Sequence, residues 1–193
     1  MIIAVEGMDG AGKTTVCEYV RDTRDYRMIE KPTKYFFFKD GEIEENEFSD
    51  TLEEVYNSTS LVRTAFFGLG NLLAVNKYKG ENIILDRHLV SNYYWNNSEG
   101  LDSIYDTLVE SCKPDLTILL YATPKTRYER LSKRNKYDID LLDPSVFDDG
   151  MDKMLYFLNK YNMKYIIVDT EGKSIEEVYN EINKIMDGIE NES

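Results

Sequence analysis

A glycine-rich stretch near the start of the chain, residues 7–15, constrains most strongly what this sequence can fold into and bind. It fits the pattern G-x-x-x-x-G-K-[ST] and directly follows an apolar run at residues 2–5. The backbone N–H groups of such a loop converge on one concavity, and the helix that follows adds its N-terminal dipole, so the two form a polyphosphate-binding site. The predicted binding residues are Gly7, Met8, Asp9, Gly10, Ala11, Gly12, Lys13, Thr14 and Thr15.

Two side chains of this loop carry predicted roles in phosphate chemistry. Lys13 is expected to reach the β- and γ-phosphates, and the Thr14 hydroxyl is expected to ligate Mg²⁺. Asp86 directly follows an apolar run at residues 82–85, where nucleotide-binding folds place an acid that holds Mg²⁺ or its waters. The sequence therefore predicts a metal site formed by Thr14 and Asp86.

The composition indicates a globular protein with one domain, residues 1–193. Its formal net charge of −13 argues against a nucleic acid or an anionic membrane as the principal partner. The sequence has no run of the roughly 20 apolar residues that a membrane span needs, so we expect a cytoplasmic protein. The two cysteines, Cys17 and Cys112, lack metal-like spacing and are predicted to be buried small apolar residues.

Short apolar strands alternate with helical stretches along the chain. We predict strands at residues 1–5, 26–29, 82–85, 116–121 and 164–168. This alternation predicts a five-stranded parallel sheet with helices on both faces. Between the second and third strands, apolar residues at helical spacing predict one long helix over residues 50–77, with a break near Gly68 and Gly70 as the alternative.

A basic helix is predicted to begin at Pro124, which suits a first helical turn. Its cations fall three or four residues apart and therefore lie on neighbouring faces. Two interpretations remain open, a solvated face paired with nearby acids or an anion-binding face. The basic residues are Arg127, Arg130, Lys133 and Arg134.

These residues together resemble the thymidylate kinase family along nearly the whole chain. The resemblance rests on Glu6 with the loop, on residues 86–88, and on residues 114–117 with Pro124 and the arginine series. It implies a P-loop NTPase fold, three-layer α/β/α, with a short lid near residues 133–145. It also implies ATP and Mg²⁺ as cosubstrates and phosphorylation of a deoxynucleoside monophosphate, dTMP to dTDP. Such enzymes are commonly homodimers, for which the apolar stretch at 61–75 is the candidate interface.

The family pattern also implies roles for individual residues. Asp9 would lie near the sugar and phosphate of the acceptor, and Arg87 would hold the acceptor phosphate. Phe67 would stack on the base, and Trp95 would form a wall of the sugar site.

The chain departs from that pattern at two places. Residues 30–32 read Glu30, Lys31, Pro32 where the family has Arg-Glu-Pro, and Asn71 replaces an arginine that closes the base-binding helix motif. Both departures lie in the predicted acceptor site.

The catalytic arginine is predicted to come from the lid. Position 10 is glycine, so the loop has no basic side chain between Asp9 and Ala11. Arg134 is the first choice and Arg130 the second, because they end the basic helix just before the irregular segment. The complete predicted catalytic set is Lys13, Asp9, Arg87, Arg130 and Arg134.

Three hypotheses about function remain at this stage. The first is a nucleoside-monophosphate kinase, whose acceptor is already a phosphate and needs no general base. The second is a deoxynucleoside kinase, in which Glu30 acts as base toward a 5′-hydroxyl. The third is a nucleotide-binding protein with a degenerate acceptor site, which Asn71 supports. No proton-transfer role is expected for His88.

Overall fold

The computed structural model describes residues 1–39, 42–134 and 147–191. Its strands are β1 (Ile2–Glu6), β2 (Arg27–Glu30), β3 (Phe38–Lys39), β4 (Glu42–Ile43), β5 (Ile83–Asp86), β6 (Leu116–Tyr121) and β7 (Tyr165–Asp169). Its α-helices are α1 (Lys13–Thr23), α2 (Glu45–Tyr56), α3 (Ser60–Lys77), α4 (Leu89–Asn96), α5 (Asp102–Cys112), α6 (Pro124–Arg134), α7 (Met151–Lys160) and α8 (Ile175–Glu190). A 3₁₀ helix spans Pro32–Phe37.

The central sheet has five strands in the order β2-β5-β1-β6-β7, and every pairing in it is parallel. The prediction of a five-stranded parallel sheet is therefore confirmed. Because the strands are parallel, their carboxyl ends meet at one edge. There Asp86 lies in register with Val5 on one side and with Glu30 on the other.

Helices cover both faces of the sheet, which confirms the three-layer architecture. One core packs α1 and α8 against the inward residues of β1 and β6, including Val16, Ile182, Ile3 and Ile118. The other face is covered by α4, α5 and α7, whose core includes Leu89, Tyr105 and Phe157. Cys17 and Cys112 are buried free thiols, as predicted.

The prediction of one long helix over residues 50–77 is wrong, because two helices, α2 and α3, occupy this stretch. The helical stretch is interrupted at residues 57–59. Thr59 caps α3 there by accepting a hydrogen bond from the Val62 N–H at 3.4 Å. Gly68 and Gly70 lie inside α3 without breaking it. A Cβ at Gly68 would stand 2.7 Å from Leu108 on α5, and one at Gly70 would stand 2.7 Å from Thr33. These glycines therefore allow close packing.

The acidic stretch that leads into α2 contains two short strands. β3 and β4 pair antiparallel there, and α2 begins only at Glu45. Among the helices of the described ranges, none combines the length and the apolar character that a bilayer crossing requires.

Candidate active site

The phosphate-binding loop connects β1 to α1 at the carboxyl edge of the sheet. Gly7 has φ 139° and Gly10 has φ 82°, conformations that residues with a Cβ rarely adopt. A Cβ at Gly7 would also lie 2.5 Å from the Leu120 carbonyl oxygen. The loop leads directly into the N-terminus of α1 at Lys13. This strand, loop and helix arrangement is the structural setting that the motif requires.

Lys13 is buried and turned back into the loop. Its Nζ donates to the Met8 carbonyl oxygen at 2.9 Å and lies 3.5 Å from Oδ1 of Asp9. Burial, reinforced by the nearby charge of Arg87, lowers the pKa of Lys13 to about 8. The ammonium is therefore still mostly charged at neutral pH, and its oxygen contacts are ones that phosphate oxygens could replace.

Thr14 and Asp86, the two predicted metal ligands, are in direct contact. The Thr14 hydroxyl donates to Oδ2 of Asp86 at 2.5 Å. The second oxygen of Asp86, Oδ1, is buried and has no partner within the described residues. An orphaned carboxylate oxygen beside a hydroxyl fits Mg²⁺, which is usually bound through one or two carboxylates together with substrate phosphates and water. In the described ranges no cluster of three or more His, Cys, Asp or Glu side chains is placed to hold a metal ion.

Arg87 adopts a backbone conformation that is unusual for a residue with a side chain, φ 75°. Its N–H donates to the Val5 carbonyl oxygen at 3.0 Å, which aligns it with the end of β1. Its guanidinium donates to Oδ1 of Asp9. Burial raises the pKa of Asp9, but the charges of Arg87 and Lys13 outweigh it and lower the pKa overall. The structure thus brings Asp9, Lys13 and Arg87 together.

Glu6 is a site residue to which sequence reasoning gave no role. It is fully buried, and Oε1 accepts N–H bonds from His88, Val90 and Ser91 at 2.7, 3.1 and 3.2 Å. Oε2 accepts from the Ser91 hydroxyl at 2.5 Å. One carboxylate at the end of β1 therefore satisfies the N-terminus of α4 and fixes the turn that carries Arg87. The available signal was an acid that ends an otherwise apolar strand.

We expect Glu6→Ala to lower the free energy of unfolding by about 3–5 kcal/mol, since each buried donor left unpaired costs about 1–3 kcal/mol. Glu6→Gln keeps one acceptor oxygen and should lose less. Urea denaturation would measure both, with the exposed Glu18→Ala as the matched control. Equal midpoints for Glu6→Ala and wild type would show that Glu6 does not hold α4.

Helix α6 packs its arginines against the phosphate-binding loop. Arg127 is buried and donates to the Asp9 carbonyl oxygen at 3.3 Å. Arg130 donates to the Gly10 carbonyl oxygen at 3.4 Å and to the Thr170 hydroxyl at 2.9 Å. Arg134 is exposed at the last residue of the helix. Arg127 and Arg130 therefore attach the basic helix to the loop, and this side of the helix is not a solvated face.

The sheet edge also carries the two residues that depart from the family pattern. Glu30 ends β2 and Lys31 follows it, and both are exposed. Lys31 has φ 48°, a left-handed conformation that a lysine adopts at some energetic cost. Its carbonyl oxygen accepts from the Lys34 N–H at 2.9 Å, which begins the 3₁₀ helix.

The predicted base and sugar residues lie on α3 and α4. The two helices are joined where Asn92 donates to the Thr64 carbonyl oxygen at 3.1 Å. Phe67, one turn beyond Thr64, packs against Tyr56 at a ring separation of 5.9 Å. Asn71 is buried. Trp95 is 36% exposed and stands edge-on to Tyr94, with 4.8 Å between ring centroids.

His88 is buried, with 2% of it exposed. Neither ring nitrogen has a partner within the described residues, and burial lowers its pKa to about 3. The imidazole is therefore neutral at physiological pH. Its lack of a proton-transfer role stays a prediction.

The predicted lid and the predicted dimer interface stay predictions. Of the lid predicted at 133–145, Lys133 and Arg134 end α6 and the other residues lie outside the described ranges. The predicted dimer interface on α3 has exposed apolar side chains, with Leu61 51%, Val62 44% and Leu69 56% exposed.

The chain is similar to proteins named as nucleotide kinases along nearly its whole length. The thymidylate kinase family model matches residues 68–182. The chain is 31% identical over 201 residues to a protein of Archaeoglobus fulgidus named "Probable thymidylate kinase", with 99% of this chain and 97% of that protein covered. It is also 31% identical over 190 residues to a Thermococcus kodakarensis protein named "Putative adenylate kinase", with 98% and 88% covered.

Solved structures with a similar fold include a thymidylate kinase and a deoxyadenosine kinase. Thymidylate kinase from Candida albicans aligns with a TM-score of 0.67 at 19% identity, covering 100% of this chain and 93% of that one. Deoxyadenosine kinase from M. mycoides with bound dATP aligns with a TM-score of 0.67 at 21% identity, covering 97% and 100%. At these identities the structures support the fold alone.

Proposed function

This chain belongs to the thymidylate kinase family, and we propose that it transfers the γ-phosphoryl group of ATP to dTMP, with Mg²⁺ at the transferring phosphates. The family makes the protein a nucleoside-monophosphate kinase with small-molecule nucleotide substrates. Relatives at equal identity carry thymidylate kinase and adenylate kinase names, so they do not point to one acceptor. We take dTMP as the acceptor because the family model that matches is that of thymidylate kinase.

The donor half of the proposal is supported by the loop and the two residues beside it. Backbone N–H groups and the start of α1 would cradle the ATP phosphates, while Lys13 adds a buried cation to them. Thr14 and Asp86, 2.5 Å apart, would hold Mg²⁺, which neutralises charge on the phosphates when bound. In such a transfer the protein mainly positions the groups and stabilises charge, and these residues are suited to both tasks.

The acceptor half rests on one observation, the contact of Arg87 with Asp9 beside Lys13. A nucleoside monophosphate brings about two negative charges, which need fixed cations. Arg87 presents a guanidinium at the sheet edge, already oriented by the Asp9 carboxylate. An acceptor that is a phosphate needs no general base, so this pair supports a monophosphate rather than a free nucleoside.

The base and sugar would lie along α3 and α4, between Phe67, Asn71 and Trp95. An arginine offers only donors to a base, whereas the Asn71 amide offers a donor and an acceptor. Asn71 could therefore pair with keto or amino groups on the base edge. Discrimination among bases is for this reason the property that needs a direct test.

A second candidate function is a deoxynucleoside kinase, which one observation favours. Glu30 is an exposed carboxylate in register with Asp86 at the sheet edge, where it could take the proton of a 5′-hydroxyl.

We regard homodimerisation through α3 as part of the first proposal, supported by the exposed Leu61, Val62 and Leu69.

The test is an acceptor panel of nucleosides and nucleoside monophosphates, supplied with ATP and Mg²⁺ and followed by ADP release. Turnover with dTMP is the expected result, and turnover with another monophosphate would change only the base. Turnover with nucleosides alone would replace the proposal by the second candidate. ATP binding without turnover on any acceptor would leave a degenerate acceptor site.

Two variants separate the candidates in the same assay. Arg87→Ala should cost about 2–4 kcal/mol in kcat/KM for the monophosphate, mainly through the acceptor KM. The reason is that it removes the proposed charge-assisted bidentate contact between the guanidinium and the acceptor phosphate. Glu30→Gln should then have little effect. If Glu30 is instead a general base, Glu30→Gln should cost about 10²–10⁴ in rate, and Arg87→Ala should matter less.

A further inference from the structure

Arg127 is a large side chain buried against the phosphate-binding loop, with only 1% of it exposed. One of its terminal nitrogens donates to the Asp9 carbonyl oxygen at 3.3 Å. The other donates to the Asp148 carbonyl oxygen. The backbone of the same helical turn lies so close to Gly10 that a Cβ there would be 2.8 Å from the Arg127 carbonyl oxygen. Arg127 therefore connects the loop with the segment just before α7.

This burial is costly, and packing alone does not account for it. Within the described residues Arg127 makes no ion pair with a carboxylate, and its Nε is buried without a partner. Burial lowers the pKa of Arg127 and outweighs the attraction of nearby acids, chiefly Asp9 and Asp149, so burial imposes a net cost on its charge. A buried charge held mainly by carbonyl oxygens is seldom the most stable way to fill a core.

The other end of this connection, Asp148, is itself held on two sides. Its Oδ2 accepts from the Tyr94 hydroxyl on α4 at 2.5 Å, and its Oδ1 accepts from the Gly150 N–H at 3.1 Å. Gly150 lies against the loop, since a Cβ there would stand 2.5 Å from Sδ of Met8. The chain at Asp148 thus joins α6, α4 and the phosphate-binding loop.

Asp9 lies at the centre of these contacts. Its carbonyl oxygen is held by Arg127, while its carboxylate holds Arg87 and approaches Lys13. We propose that Arg127 is a positioning residue for the acceptor: it fixes the Asp9 main chain to Asp148, and through Tyr94 to α4, so that Asp9 can orient Arg87. This inference rests on the proposed function, in which Arg87 binds the acceptor phosphate.

The kinetic test uses Arg127→Met, which keeps the apolar stem and fills the space, with Arg127→Lys as a second variant. Arg127→Met should lower kcat/KM for dTMP by about 10- to 100-fold, the range for losing hydrogen bonds to a buried charged group. The KM for the acceptor should rise more than the KM for ATP, and Arg127→Lys should recover part of the loss. Lys125→Ala, an exposed cation on the same helix, is the matched control and should behave like wild type.

A second measurement does not depend on activity. The single tryptophan, Trp95, lines a cavity of about 400 Å³ together with Tyr94, Asp148 and Gly150. If Arg127 holds this segment, acrylamide should quench Trp95 fluorescence more strongly in Arg127→Met than in wild type, with unchanged circular dichroism. Lys125→Ala should leave quenching as in wild type.

A double-mutant cycle with Tyr94→Phe completes the test. If Arg127 and Tyr94 act through Asp148, the double variant should lose little more acceptor kcat/KM than the worse single variant. Additive losses, or wild-type quenching and acceptor KM in a folded Arg127→Met, would overturn the inference. Should the wild-type protein phosphorylate no monophosphate, the proposed function fails, while the quenching of Trp95 still decides whether Arg127 holds the segment.

Discussion

Lys13→Ala is expected to reduce phosphoryl transfer by about 10²–10³-fold or more, because the proposed role of Lys13 is to place a fixed, buried cation on the transferring phosphates. Folding should not suffer. The Lys13 ammonium is buried and its pKa is lowered by that burial, so its removal relieves a desolvation cost. Steady-state turnover with saturating ATP and acceptor, together with a thermal melt, would measure both effects.

The matched control for this prediction is Lys184→Ala, an exposed lysine on α8. It should be indistinguishable from wild type in both measurements. Near-normal phosphoryl transfer by a well-folded Lys13→Ala protein would remove the loop from its assigned role.

Arg134→Ala is expected to have the other very large effect, a loss of about 10³–10⁵ in kcat, which is the contribution of an arginine that acts on the transition state. The loop has glycine at position 10, and the arginine must therefore come from elsewhere. Arg134 is exposed and ends α6, directly before the predicted lid segment. Arg130 lies one turn earlier and donates to the Gly10 and Thr170 carbonyl oxygens. Because the contact would form only in the transition state, the KM for ATP should change little.

The neighbouring Lys133→Ala serves as the control for charge at the helix end. Arg130→Ala should be measured in parallel, because Arg130 is the second choice for the same role. Wild-type kcat in both arginine variants would show that the lid does not supply the catalytic cation.

The sheet could be predicted because its signals are local. Five apolar runs became strands within about two residues of their predicted bounds, since a strand buried on both faces reads as a continuous apolar stretch. The loop was equally predictable, because its glycines and Lys13 lie within one stretch of seven residues, 7–13. Contacts such as Thr14 with Asp86 followed from a rule about strand ends rather than from any pairwise signal.

Other features depended on partners far away in the chain. Glu6 and His88 are 82 positions apart, and Arg127 is 118 positions from Asp9, so local patterns indicate neither contact. The break between α2 and α3 escapes a sequence pattern for a different reason. Gly68 and Gly70 suggest a helix break, although here they allow close packing, and the capping residue Thr59 marks the true start of α3.

The backbone of Arg87 has a consequence for how this protein can change. A left-handed conformation at a residue with a side chain costs about 1–2 kcal/mol, a cost that glycine would not incur. The backbone conformation by itself thus favours glycine at this position, whereas the arginine side chain adds the contact with Asp9. Under the proposed role of Arg87, position 87 is one where selection for stability and selection for activity act in opposite directions, and drift toward a more stable sequence would first erode acceptor use.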